Sequence, residues 1–113
     1  MSGISTHILD LTRGQPASGV AVRLSREVDG GWTEISKRTT DADGRVKSML
    51  RENEMLESGR YRLHFATAEY FGGRGVEAFH PFVEIAFEVR HADEHYHVPL
   101  LLTPYGYSTY RGS

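Results

Sequence analysis

Apolar and polar residues alternate with a period of two through most of this chain, and glycine, aspartate and proline appear where the alternation stops. Successive side chains of an extended strand point to opposite faces, so such a pattern predicts half-buried strands separated by turns. Phe82 to Val89 is the clearest case, with Val83, Ile85, Phe87 and Val89 on one face and Glu84 and Glu88 on the other. Gly19 to Arg26 sets Val20, Val22 and Leu24 against Ala21, Arg23 and Ser25. Arg60 to Ala66 likewise sets Tyr61, Leu63 and Phe65 against Arg62 and His64. Ile4 to Leu11 forms a first strand, in which His7 shares a face with Ser5 and Leu9, and Arg13-Gly14-Gln15-Pro16 turns the chain after it. Asp29-Gly30-Gly31 reads as a hairpin loop leading into Trp32 to Lys37.

Between the strands the residues change character. Thr39 to Arg45 is a turn of Asx and glycine chemistry in which Gly44 can supply a positive φ, and Arg45 stands at the start of the next strand with its guanidinium free. The DADG run within it resembles part of a calcium loop, but no glutamate falls where a twelve-residue loop would need one. Glu52 to Glu57 lacks strand character and is closed by Ser58-Gly59, which predicts one short helix. Phe71 to Gly75 reads as a flexible loop, and its glycines do not lead from a strand into a helix as a nucleotide-binding loop requires. The expected fold is an all-β antiparallel sandwich of seven to eight strands with one short helix, in a single domain spanning residues 1–113.

The closing stretch His95 to Ser113 is too rich in aromatic and β-branched residues for a frayed end. On a strand, Tyr96, Val98, Leu100 and Leu102 share a face that must be core, and His95, His97, Pro99 and Leu101 share the other. Proline and leucine beside two imidazoles are unusual on a free surface. We therefore expect another subunit to cover that face.

Charge and composition narrow the range of partners. Lys plus Arg is 13 against 15 for Asp plus Glu, a formal net charge of -2, which argues against nucleic-acid or membrane binding through bulk charge. With no cysteine, a disulfide framework, a thiolate nucleophile and a zinc–thiolate site are excluded. The opening MSGISTHILD has neither the basic region nor the apolar stretch of a secretory signal, and a cytoplasmic protein is expected.

Four stretches carry a resemblance to a known family. Ser5-Thr6-His7-Ile8-Leu9-Asp10, Asp43-Gly44-Arg45, His95-Tyr96-His97-Val98-Pro99-Leu100-Leu101-Leu102 and the closing Tyr110-Arg111-Gly112-Ser113 resemble the 5-hydroxyisourate hydrolases, the transthyretin-related enzymes of urate breakdown. The terminal tetrapeptide is the specific element, because transthyretin shares the preceding turn and Tyr-Ser-Thr stretch without it. Thr103 stands where the family often has serine. The resemblance implies a transthyretin-like β-sandwich assembled as a homotetramer with sites in a channel between subunits. It also implies hydrolytic opening of the six-membered ring of 5-hydroxyisourate, without a metal or organic cofactor. The family's functional positions fall on His7, Arg45, His97 and the tetrapeptide Tyr110 to Ser113.

Opening a cyclic amide needs an activated water, a place for oxyanion charge and a proton for the leaving nitrogen. Histidines near their ordinary pKa can divide the acid and base roles, which suits His7 and His97 with Ser113 as an orienting group. Arg45 and Arg111 suit a substrate rich in carbonyl oxygens, with Tyr110 and Gly112 completing the contact. The plainer alternatives are a core histidine bonded to a neighbouring strand and arginines in surface ion pairs. His95 and His97, with His7 as a third ligand, could also hold a metal, but no fourth group stands at a useful spacing and no metal is expected. Tyr105 and Tyr107 are assigned to packing, and His64, His80 and His91 have no expected role. Ser113 lacks the sharp turn of a serine nucleophile. A carrier using the same channel for an aromatic ligand is the rival function, and it would line that channel with apolar groups.

Overall fold

The structure, a computed structural model, describes residues 2–113. Its strands are β1 (Gly3–Asp10), β2 (Gln15–Pro16), β3 (Ala21–Val28), β4 (Gly31–Thr39), β5 (Arg45–Val46) and β6 (Gly59–Phe65), followed after one helix, α1 (Thr67–Gly72), by β7 (Val83–Val89), β8 (His95–Leu102) and β9 (Tyr107–Thr109). Two sheets result. One runs β2-β1-β8-β9 with β5 also on β1, and the other runs β4-β3-β6-β7. Two of the nine strands among the described residues are only two residues long, which is why the apolar–polar pattern predicts seven to eight.

The second sheet is antiparallel throughout. The first is mixed, because β1 and β8 run parallel from Gly3↔His95 to Asp10↔Leu102. This corrects the expectation of a purely antiparallel sandwich. Parallel neighbours need a crossover rather than a hairpin. Here the connection takes in all four strands of the other sheet together with β2, β5 and α1, so alternation within each strand carries no trace of it.

Between the sheets lies the core. Ile4 and Ile8 of β1, and Tyr96, Val98, Leu100 and Leu102 of β8, meet Val22, Leu24, Leu63 and Phe65 from the opposite sheet, all of them buried. Complete burial of one such aliphatic side chain contributes about 1.5–3 kcal/mol, so this layer holds the sheets together. At the edge strand β7, Ile85 and Phe87 are only partly buried. Two tyrosines pin the ends of strands to the layer. The Tyr61 hydroxyl accepts the Glu57 N–H at 3.1 Å and donates to the Glu57 carbonyl at 2.9 Å. Tyr96 treats the N–H and carbonyl of His91 in the same way, at 2.9 and 3.1 Å.

The expected helix is not where the sequence pattern placed it. Residues 52–57 form turns and irregular chain, with Asn53 at φ 66° and the Arg51 guanidinium closing the turn onto the Glu54 carboxylate at 3.1 Å. The helix is α1, and part of the expected loop from Phe71 belongs to it. It spans six residues with Thr67, Tyr70 and Phe71 buried, too short to show a helical period. Tyr70 docks it by donating to the buried Asp10 carboxylate at 2.8 Å.

Candidate active site

Strand register decides which side chains meet. Because β1 and β8 are parallel, Ser5 lies opposite His97 and His7 opposite Pro99. On its other edge β1 pairs with β5, which puts His7 opposite Arg45. With Ile4, Ile8, Tyr96 and Val98 facing the core, Ser5, His7, His95 and His97 face outward from the same sheet.

Ser5 joins the two histidines of β8. Its hydroxyl, in a residue only 8% exposed, stands 2.7 Å from His95 Nε2 and 2.8 Å from His97 Nδ1. Sequence reasoning missed this residue, since a serine within a strand carries no signal of its own. The one available clue was its place on the same face as His7.

Arg45 is set by a rigid turn. The Asp41 carboxylate accepts the N–H groups of Arg45 at 3.0 Å and Asp43 at 2.9 Å, and the Arg45 bond chiefly lowers the Asp41 pKa below its usual value. Gly44, at φ +72°, presses so closely on β1 that a Cβ would lie 2.5 Å from the Ile8 carbonyl oxygen. Its own carbonyl accepts the Ile8 N–H at 2.8 Å. The backbone beneath Arg45 is thereby fixed while its side chain stays exposed.

The chain's closing residues reach the same place. Gly112 donates its N–H to the His97 carbonyl at 2.8 Å, and a Cβ there would sit 2.6 Å from His97 Cδ2. Only a glycine lets the backbone pass this close to the imidazole. Ser113 then lines a polar cavity of about 260 Å³ together with Ser5, Arg45, Lys47, His95 and His97.

Among the described residues no aspartate or glutamate lines that cavity, and its charged side chains, Arg45 and Lys47, are cationic. His97 is held below its ordinary pKa, first by burial and then by the positive charge of Arg45 and the neighbouring His7 and His95. It is therefore neutral at pH 7, with Nδ1 engaged by Ser5 and Nε2 available. His7 does not line the cavity itself; it stands beside Arg45 and acts on His97 through its charge. Among the described residues no group of three or more His, Cys, Asp or Glu side chains is placed to hold a metal ion. Nor is any helix among them long and apolar enough to cross a membrane.

Two expected contacts fall elsewhere. Arg111 does not converge with Arg45 and His97: its guanidinium stacks 4.3 Å from the Tyr96 ring centre and donates to Glu94 at 3.0 Å and to the His95 carbonyl at 3.2 Å. Tyr110 accompanies it at a larger cavity of about 470 Å³ lined by Ile85, Phe87 and Val98. Alternation along the extended chain sends Gly112 toward His97 and its neighbour Arg111 the other way. Among the remaining histidines, His64 bonds Glu84 at 2.9 Å and stacks on Phe82, while His80 packs edge-on against Tyr107.

Residues 4–112 match the model of the HIUase/Transthyretin family. The chain is 49% identical to the 5-hydroxyisourate hydrolase of Caulobacter vibrioides, with both sequences covered in full. It superposes on the 5-hydroxyisourate hydrolase of Klebsiella pneumoniae with a TM-score of 0.87 at 39% identity, covering 98% of this chain and 99% of that one. Sea bream transthyretin, solved with thyroxine, gives a TM-score of 0.88 at 35% identity, covering 97% and 94%. The chain belongs to the HIUase/Transthyretin family.

Proposed function

We propose that the protein is a 5-hydroxyisourate hydrolase that opens the six-membered ring of its substrate to 2-oxo-4-hydroxy-4-carboxy-5-ureidoimidazoline. The observation that carries this is the meeting of His97, Arg45 and Ser113 in one polar cavity, with His7 alongside, in a chain 49% identical to a protein of that name. Likeness of fold alone does not separate enzyme from carrier, since a transthyretin superposes equally well. Lining does. Imidazoles and a guanidinium suit acid–base chemistry, whereas a carrier of apolar ligands has no use for them.

Neutral His97 takes a proton from water at Nε2, and the water oxygen bonds to the ring carbonyl beside the hydroxylated carbon. The carbonyl electrons move onto oxygen, where the Arg45 guanidinium meets the developing charge. Collapse of that adduct breaks the carbon–nitrogen bond, and the leaving ring nitrogen takes up a proton from an imidazole. His7, beside Arg45, disfavours the charged form of His97 and so keeps the base form populated, Gly112 keeps His97 in place, and Ser113 orients water or substrate. Arg111 and Tyr110, on the other cavity of their own protomer, have no part in this step. Catalysis needs no metal or organic cofactor in this scheme.

We place the enzyme in the cytoplasm and assemble it as a homotetramer with its sites between subunits. The support is the outward face of β1 and β8, where Leu9 and Leu101 remain only half-buried within the protomer, beside the histidines. The direct test generates 5-hydroxyisourate from urate with urate oxidase and follows its ultraviolet absorbance. Faster decay with the protein present is expected; an unchanged rate would remove the enzymatic assignment.

A further inference from the structure

We propose that Ser5 and His95 form a proton relay that moves the positive charge arising at His97 to the exposed His95 and back, making Ser5 a positioning residue for the hydrolysis. This rests on the hydrolytic assignment above and adds two residues to it.

The geometry is a continuous line. His97 Nδ1, Ser5 Oγ and His95 Nε2 are linked by contacts of 2.8 and 2.7 Å, and His95 is exposed whereas His97 is half-buried. A serine hydroxyl has one proton to donate and two lone pairs to accept with, so it can accept from one imidazole while donating to the other, the arrangement a relay requires. In the resting arrangement His97 Nδ1–H donates to Ser5, and the Ser5 hydroxyl donates to His95 Nε2. This leaves the lone pair of His97 Nε2 facing the cavity, as a base requires.

When Nε2 takes a proton from water, Nδ1 passes its own to Ser5 and Ser5 passes its proton to His95, which becomes the imidazolium. His97 stays neutral and now presents an Nε2–H. The proton on Nε2 then goes to the leaving nitrogen while the relay runs back, Ser5 returning a proton to Nδ1 and His95 returning one to Ser5. No proton is gained or lost over the cycle.

Electrostatics give the relay a purpose. The groups facing His97 are Ser5 and His7 from β1, Arg45 and Lys47 from the β5 segment, His95 from its own strand, and Gly112 and Ser113 from the end of the chain. None of those side chains is a carboxylate, and Arg45, His7 and His95 all act against a charged His97, so an imidazolium there would form against repulsion. Moving the charge to exposed His95 puts it in water, where it is screened.

The test compares wild type, Ser5→Ala and His95→Ala in the 5-hydroxyisourate assay across pH, with thermal melting to establish folding. Both variants are expected to lose at least about tenfold in kcat with KM little changed, and to show an altered acid limb. Added imidazole should restore His95→Ala, whose missing ring is open to solvent, and not Ser5→Ala, which lacks the link. His95→Ala with wild-type kcat and pH profile would overturn the relay, as would a loss that imidazole does not repair. Because the His95 side chain is exposed, His95→Ala decides the question even if Ser5→Ala fails to fold. A wild-type protein that does not accelerate ring opening would defeat the hydrolase assignment itself, and the relay with it.

Discussion

At His97, burial and the neighbouring Arg45, His7 and His95 all act in one direction, against the protonated ring. In an unfolded chain this imidazole titrates near 6.5, and in the folded site below that. As pH falls through 6.5 the unfolded state takes up the proton first, so the contribution to stability is intact above that value and is lost in the window below it. The same displacement keeps the base form populated in mildly acidic solution. The acid limb of kcat/KM should therefore lie below about pH 6.5, and a limb above it would mean that His97 is not the base. Gly112 carries a second prediction at this scale. Gly112→Ala would put a methyl 2.6 Å from His97 Cδ2 and push the ring aside. Turnover should fall by about a hundredfold, the usual cost of a displacement near 1 Å, with little change in melting temperature. His7, Arg45 and His97 could be named from local motifs in the sequence. Ser5 could not, because its contacts with His95 and His97 exist only through the register that sets it against β8. Within the protomer Arg111 lies on Tyr96 and Glu94, since adjacency to Gly112 in a motif says nothing about which way a side chain turns.

Among the elements, β1 does most to assemble the site, pairing with β8 on one edge and with β2 and β5 on the other. Its far end is anchored by Asp10, 1% exposed, whose carboxylate accepts from Tyr70 of α1 at 2.8 Å and from the Thr12 N–H at 3.1 Å. Tyr70→Phe leaves one oxygen of a buried carboxylate without its donor. It should destabilise the protein by about 1–3 kcal/mol in chemical denaturation, while activity at low temperature persists. A stability equal to wild type would show that the helix is not held by this bond. Strand positions were legible because each half-buried strand carries its own alternation. The parallel pairing of β1 with β8 was not, and neither was α1, whose six residues end at glycine and complete fewer than two turns.

Over the whole molecule, the apolar inner face of β8 was apparent from sequence, and Tyr96, Val98, Leu100 and Leu102 are all buried. Its outer face poses the question of assembly. Half-buried Leu9 and Leu101 beside a histidine cluster suit a surface closed by a second copy, and light scattering should give four times the mass of the chain. A monomer at micromolar concentration would contradict that assembly. Ring-opening chemistry at the imidazole of His97 is the central claim, and comparing wild type with His97→Asn in the 5-hydroxyisourate assay tests it most directly. Wild type should accelerate loss of 5-hydroxyisourate, and a folded His97→Asn should be slower by about a hundredfold or more; equal rates for the two proteins would contradict it.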